Sequence, residues 1–192
     1  MGIVEERISP FHIRRATTAD NVLLAQVGAE TFYDSFAADN TPENMAAYLA
    51  QSFSPEKQSQ QLANPVSTFL IVETDSAPLR NGAPLRNGVA VAYAYLKLGQ
   101  PLDVSVGHKP IEIVRFYARK SWIGKGVGAR LMQACLREAE QAGCDVMWLD
   151  VWERNLRAIA FYRKWGFVEV STQAFQLGDE LQRDLLMARA IS

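Results

Sequence analysis

Ile123-Gly124-Lys125-Gly126-Val127-Gly128 sets three glycines at alternate positions. The run before it, Ile111-Glu112-Ile113-Val114-Arg115-Phe116-Tyr117-Ala118, is mostly apolar and reads as a strand. The segment after it, Ala129–Ala142, repeats apolar residues at helical spacing. The order is therefore strand, glycine loop, helix. Glycine has a physical use in that setting, because it allows a tight turn and lets a ligand approach the main-chain N–H groups. Those groups fall at a helix N-terminus, where unpaired donors and the positive end of the helix dipole attract an anion. The stretch predicts a phosphate or pyrophosphate held by Gly124, Lys125, Gly126, Val127, Gly128 and Ala129.

Two other phosphate loops do not fit. A Walker loop ends in Gly-Lys-Ser/Thr, and Gly128-Ala129-Arg130 does not supply that ending. A dinucleotide fingerprint sits early in a βαβ unit, with an acid about 20 residues on; here the loop lies in the second half of the chain and position 148 holds a tryptophan. A second motif follows instead. Met147-Trp148-Leu149-Asp150-Val151 reads as a buried strand, and Asn155, Ala158, Tyr162, Gly166 and Phe167 come after it at regular spacing. Together the two motifs resemble the Gcn5-related N-acetyltransferase (GNAT) superfamily, over residues 11–190. The family's acetyl-CoA pyrophosphate loop is Arg/Gln-x-x-Gly-x-Gly/Ala, with Ile123 here in place of Arg or Gln. Its downstream pattern is matched by Val151, Asn155, Ala158, Tyr162, Gly166 and Phe167.

The resemblance implies an α/β (α+β) fold: a mixed central sheet with strands 4 and 5 splayed apart and helices on both faces. It implies acetyl-CoA as co-substrate, entering the gap as a pseudo-strand, with main-chain hydrogen bonds from Phe116, Tyr117 and Ala118 to the pantetheine arm and thioester. By the same resemblance Tyr162 lies near the sulfur as general acid to the departing thiolate, and Asn155 touches the pantetheine. Asn155 also reads, from its own chemistry, as a helix N-cap. Lys125, Arg130 and Lys164 are candidates for phosphate contacts.

Composition narrows the setting. At 192 residues with 48% hydrophobic content, the chain has the size of one domain with a sizeable core. Its formal net charge of −1 gives no support to nucleic-acid binding. No apolar run is long enough to span a bilayer. Met1–Pro10 carries Glu5, Glu6 and Arg7 and lacks the apolar core of a secretory signal. Cys135 and Cys144 lack metal-ligand spacing, and His12 and His108 are the only histidines. Buried reduced thiols, no metal and a cytoplasmic protein are the expectation.

From the N-terminus, His12–Ala16 alternates as a short strand and Val22–Phe36 repeats at helical spacing. Glu30 and Asp34 lie four apart on one face of that helix. Thr41-Pro42 and Ser54-Pro55 each signal a helix start, the first followed by the stripe Met45, Tyr48, Leu49 and Phe53. Strands are expected at Thr68–Glu73 and Val89–Leu96. Between them Ala77–Gly82 is repeated without change as Ala83–Gly88, which reads as a duplication in an exposed hairpin tip. Gly143 is the expected end of the helix after the glycine loop, with Glu138 and Glu140 facing water. A helix at Asn155–Trp165 and strands at Gly166–Thr172 and Gln182–Arg189 complete the chain.

Acetyl transfer to an amine requires a neutral nucleophile, a thioester held beside it, a donor to the oxyanion and a proton for the thiolate. Glu112, a charge in an apolar strand, is the leading candidate base, since such a charge is costly unless used or paired. Asp150 interrupts another apolar strand and joins Glu30 and Asp34 as a candidate for holding a cationic acceptor. The whole chain is similar to bacterial PaiA-type spermidine/spermine N-acetyltransferases, through Glu30-Thr31-Phe32-x-Asp34-x-Phe36, Pro42-Glu43-Asn44-Met45-x-x-Tyr48-Leu49, Trp148-Leu149-x-Val151-Trp152-Glu153, Ala158–Tyr162 and Gly178-Asp179-Glu180. Val114 departs from it, standing where those relatives carry a second strand glutamate. The resemblance favours a small-molecule amine, a polyamine first; members of the family are often homodimers. Protein lysine or N-terminal acetylation, and a non-catalytic acyl-CoA sensor, are the alternatives.

Overall fold

A computed structural model of the chain describes residues 11–74, 88–101, 104–177 and 180–191. Most of the duplicated segment, and Gly178-Asp179, lie outside the described residues. The strands are β1 (Phe11–Arg15), β2 (Ser67–Thr74), β3 (Val89–Leu98), β4 (Pro110–Ala118), β5 (Val146–Trp152), β6 (Val168–Leu177) and β7 (Glu180–Ala190). The helices are α1 (Asn21–Phe36), α2 (Pro42–Ser52), α3 (Pro55–Ala63), α4 (Val127–Gln141) and α5 (Leu156–Lys164). The seven strands form one sheet in the order β1-β2-β3-β4-β5-β7-β6. Every neighbouring pair is antiparallel except β4 with β5.

Helices α2 and α3 begin where side chains can satisfy their free N–H groups. Thr41 and Ser54 accept from Asn44 N and Lys57 N, with Pro42 and Pro55 in the first turn, where no N–H is needed. Gly143, at φ +66°, closes the far end of α4 in the left-handed region that glycine adopts without strain. Each helix then buries one stripe. Val127, Leu131, Met132, Cys135 and Ala139 of α4 pack on Leu70, Val72, Leu96, Ile111 and Ile113, each large side chain contributing about 1.5–3 kcal/mol by leaving water. Leu24 and Val27 of α1 pack on the opposite face, against Phe69, Ile71, Tyr93 and Tyr95. Helices thus cover both faces, as the resemblance implied. Glu138 departs from expectation: its carboxylate is an ion-pair partner of Arg15 on β1.

Two irregularities shape the centre. The β3–β4 register slips between Tyr95 and Leu96, leaving Val114 as an extra residue on β4, and such a bulge bends and twists its strand. The β4–β5 ladder has only three rungs, Pro110↔Val146, Ile111↔Met147 and Glu112↔Trp148. Both strands run on past the last rung, β4 to Ala118 and β5 to Trp152, with no further pairing. The sheet is therefore open along half its central seam.

Candidate active site

The open seam exposes main chain that the sheet leaves unpaired. Arg119 N donates to Val91 O on β3. Along an antiparallel ladder the N–H and C=O groups point alternately to either side. Tyr117 therefore turns its main chain toward β3, while Phe116 and Ala118 present theirs to the gap. Phe116 and Ala118 fit the predicted strand-like contacts; Tyr117 contributes its ring instead. That ring packs against Phe32 at 6.3 Å and Tyr93 at 5.9 Å, on the α1 face.

At the end of the gap lies the glycine loop. Gly124 and Gly126 have φ of +81° and +84°, and an added Cβ at either would have no heavy atom within 4 Å. Gly126 is the N-cap of α4 and no side chain caps that helix. The first N–H groups of α4 have no acceptor within the helix, and open space lies in front of the loop. The site fits a pyrophosphate by geometry and charge. Ile123 is exposed and brings no donor. Lys125 lies over the Trp122 ring at 5.1 Å, a cation–π contact. Arg130 and Lys164 are exposed.

Tyr162, on α5, is buried and faces the seam between Phe116 and Phe167, with ring-centroid distances of 6.2 and 5.7 Å. Among the described residues its hydroxyl has no hydrogen-bond partner. Burial holds the phenol above its ordinary pKa, so it carries its proton. Asn155 caps α5, its side chain accepting from Ala158 N at 3.2 Å, which leaves its NH2 group free to donate. Asn155→Ala is expected to cost about 1 kcal/mol of stability, read as a lower midpoint in urea with an unchanged slope.

The other face of the seam is acidic. Glu112, Asp150 and Asp184 share it: Glu112 is the rung partner of Trp148, Asp150 lies opposite Leu186 on β7, and Asp184 lies opposite Trp152. Oδ1 of Asp150 and of Asp184 are sealed from solvent and have no hydrogen-bond partner among the described residues. Burial first, then the charges of Glu112 and Asp184, push Asp150 up to about 7; Gln173 draws it back. Burial first, then Glu153, pushes Asp184 up to about 6. Burial raises Glu112 and Lys97 opposes the shift. Around these carboxyls stand aromatic rings: Phe36 packs on Trp152 at 6.0 Å, and Tyr48 packs on Phe32 and Phe175. A groove of about 360 Å³ opens at the end of β5, lined by Trp152, Glu153, Gln173 and Gln182 among others. It contains none of the glycine loop.

Not every predicted acid joins this face. Glu30 is half-exposed and its carboxylate pairs with Arg119 at 3.1 Å. Asp34 is exposed on the outer side of α1. Asp184 and Gln173 went unnoticed in the sequence, although Asp184 shares the parity of Leu186 and Ala188 in an alternating strand. Arg115 also went unnoticed. It is buried at 8% exposure, stacks on Phe53 at 4.6 Å and donates to Gln58, Gln61 and Ser52 O, pinning the α2–α3 junction to β4.

A sheet opened between its central parallel strands, with a glycine-lined helix N-terminus at one end, defines a class of acyl-group transferases. Residues 30–167 match the family model described as the acetyltransferase (GNAT) family. An uncharacterized N-acetyltransferase of Lactobacillus delbrueckii is 32% identical over 86% of this chain and 88% of its own length. The spermine/spermidine N(1)-acetyltransferase of Bacillus subtilis is 28% identical over 42% of this chain and 53% of its own. The crystal structure of the PaiA N-acetyltransferase of Thermoplasma acidophilum with coenzyme A superposes with a TM-score of 0.72, at 19% identity, over 95% of this chain and 99% of that one. The chain belongs to the GNAT family of N-acetyltransferases, whose co-substrate is acetyl-CoA. Among the described residues no group of three or more His, Cys, Asp or Glu is placed to hold a metal ion, and no helix is long and apolar enough to cross a membrane.

Proposed function

We propose that this enzyme transfers the acetyl group of acetyl-CoA to a primary amine of a small, cationic, polyamine-type molecule, by direct attack of the amine on the thioester. The observation that carries the reading is the two-sided seam: main chain of Phe116 and Ala118 and the cradle Gly124–Ala129 on one side, and a carboxylate-bearing, aromatic-walled face on the other. Acetyl-CoA supplies the activated acyl carbon. The amides of the β4 end are the donors for the thioester oxygen, the α4 N-terminus holds the pyrophosphate, Asn155 steadies the pantetheine and Tyr162 supplies the thiol proton. Glu112, Asp150 and Asp184 favour a cation as acceptor, and the name of the Bacillus subtilis relative points the same way. Glu30, bound to Arg119, and Asp34, at the outer surface, serve the entry of a cation.

The test is free-thiol release from acetyl-CoA against spermidine, spermine, putrescine, an aminoacyl compound and a lysine peptide. Turnover is expected with the polyamines. Release with none of them, beside tight CoA binding, would refute the polyamine assignment while leaving the cofactor half standing; release with the peptide alone would move the acceptor to proteins.

A further inference from the structure

We propose that Asp150, and not Glu112, takes the proton from the acceptor amine, with Asp184 beside it on β7 as a positioning residue. The proposal rests on the acetyl-transfer reading above.

The seam itself separates the two candidates. Glu112 sits on the last rung, closed in by Lys97 on β3 and Trp148 on β5. Trp148 donates its indole N–H to Gly99 O at 2.8 Å and packs on Val106, so the segment before β4 roofs this end. Asp150 is the next residue of β5 on the same face, and the first past the rung. Across the gap from it β4 offers only the bulged Val114. Asp150 is half-buried, yet its Oδ1 is fully sealed and unpartnered. Asp184 repeats the pattern at 8% exposure. A buried carboxylate oxygen without a donor is expensive, so the two sealed oxygens on neighbouring strands favour the protonated carboxyl, while the half-buried Asp150 side chain, hydrogen-bonded to Gln173, keeps part of its surface open for a donor from outside the protein. An ammonium N–H is such a donor.

Charge agrees with position. The groups facing Asp150 are Glu112 from β4, Asp184 from β7 and the neutral Gln173 from β6. The helices packed over this region present the rings of Phe32, Phe36 and Tyr48. No cation contributes to the shift at Asp150; Lys97 acts on Glu112, Arg183 pairs with Glu153, Arg119 with Glu30, and Arg115 holds the α2–α3 junction. A carboxyl held near 7 by burial and like charge accepts a proton from an alkylammonium of pKa about 10.4 less unfavourably than one near 4 does. In the step, an ammonium N–H proton passes to Asp150. The freed nitrogen lone pair forms the new C–N bond at the thioester carbonyl and the C–S bond breaks. The thiolate takes the Tyr162 proton as the nitrogen returns its second proton to that phenol. Asp150 then releases one proton to solvent.

The experiment is kcat/KM against pH, from about 5.5 to 9, which reports the ionisation of the free enzyme, for the wild type and for Asp150→Asn, Glu112→Gln and Asp184→Asn, with whichever amine of the panel turns over fastest. The wild type should show an acid limb with its midpoint near 7. Asp150→Asn should lose about 100-fold at pH 7.5 and the limb with it. Asp184→Asn should move the limb to lower pH, which a purely structural role would not do; Glu112→Gln should keep a limb. Folding is checked separately. A carboxyl whose pKa is raised in the folded state loses stability as pH rises from its unfolded value through its folded one. Asp150→Asn should therefore raise Tm, and by more at pH 8 than at pH 5. An unchanged limb in Asp150→Asn, or its loss in Glu112→Gln alone, overturns the assignment. No turnover by the wild type with any amine of the panel overturns the small-amine reading on which it rests.

Discussion

Gly126→Trp should weaken CoA binding by at least about 100-fold, or about 2.7 kcal/mol, while the protein stays folded. Gly126 caps α4 at φ +84°, and a Cβ built there meets nothing within 4 Å. The backbone is thus in the region that side chains adopt at a cost of about 1–3 kcal/mol, but the protein itself leaves room for the added atoms. That room is the space in front of the orphan N–H groups of α4. An indole in it would displace an anion whose hydrogen bonds to those donors are worth about 1.5–3 kcal/mol each. Ile123 brings no donor and Lys125 lies on Trp122, so among the candidate phosphate contacts only the exposed Arg130 and Lys164 remain beside the main chain. Gly126→Ala separates the two effects, because it carries the backbone strain without the bulk. Its Tm should fall by about as much as that of the tryptophan variant, and its CoA affinity by far less. Calorimetric titration of both with CoA decides the matter: normal affinity in Gly126→Trp would mean that the pyrophosphate lies elsewhere.

What could be read from the sequence was what is local along the chain. The strand, loop and helix around Gly124–Gly128 were legible because glycine, cap and periodicity each act over a few residues. Thr41-Pro42 and Ser54-Pro55 marked α2 and α3 for the same reason. The splayed seam followed from resemblance, and its structural cause, a three-rung ladder beside a bulge at Val114, lies in pairings that no single segment reveals. The strand expected at Gly166–Thr172 instead runs Val168–Leu177. As the exposed edge of the sheet, β6 has little apolar alternation to mark its end.

The acidic face shows the same limit more sharply. Asp150 and Glu112 were visible as charges in apolar runs. That they share a face, and that Asp184 joins them, depends on the register of β5 with β7 and with β4. Shifting either by one residue would send a carboxyl through the sheet toward α4. Glu30 and Asp34 show the converse. Their spacing of four residues was a true statement about a helix surface, but Arg119 lies 89 residues on from Glu30 and claims its charge. Spacing on one helix says what shares a side, and tertiary packing decides what that side meets.

Tyr162→Phe should lower kcat by about 10²-fold or more, the range for loss of a positioned proton donor, and leave CoA affinity within about twofold. The ring is held among Phe116, Phe161 and Phe167 at centroid distances of 5.6–6.2 Å. Phenylalanine keeps that packing, and no protein hydrogen bond is lost among the described residues. The effect then falls on chemistry alone. Burial raises the phenol pKa, which at first sight makes it a poor acid for a thiolate whose own pKa is about 8.5. The objection holds for a phenol that must end as a phenolate. Tyr162 need not, because the attacking nitrogen carries an extra proton once the C–N bond has formed and is then far more acidic than either group. In the proposed reaction the hydroxyl hands one proton to sulfur as it receives another from nitrogen, and a raised pKa keeps it protonated at both ends of the exchange. Such a relay predicts a kcat for Tyr162→Phe that is low at every pH, without a shifted alkaline limb. A simple acid would instead impose its own ionisation on the wild-type profile. A variant with wild-type kcat would remove Tyr162 from the reaction, and one with weakened CoA binding would reassign it to holding the cofactor.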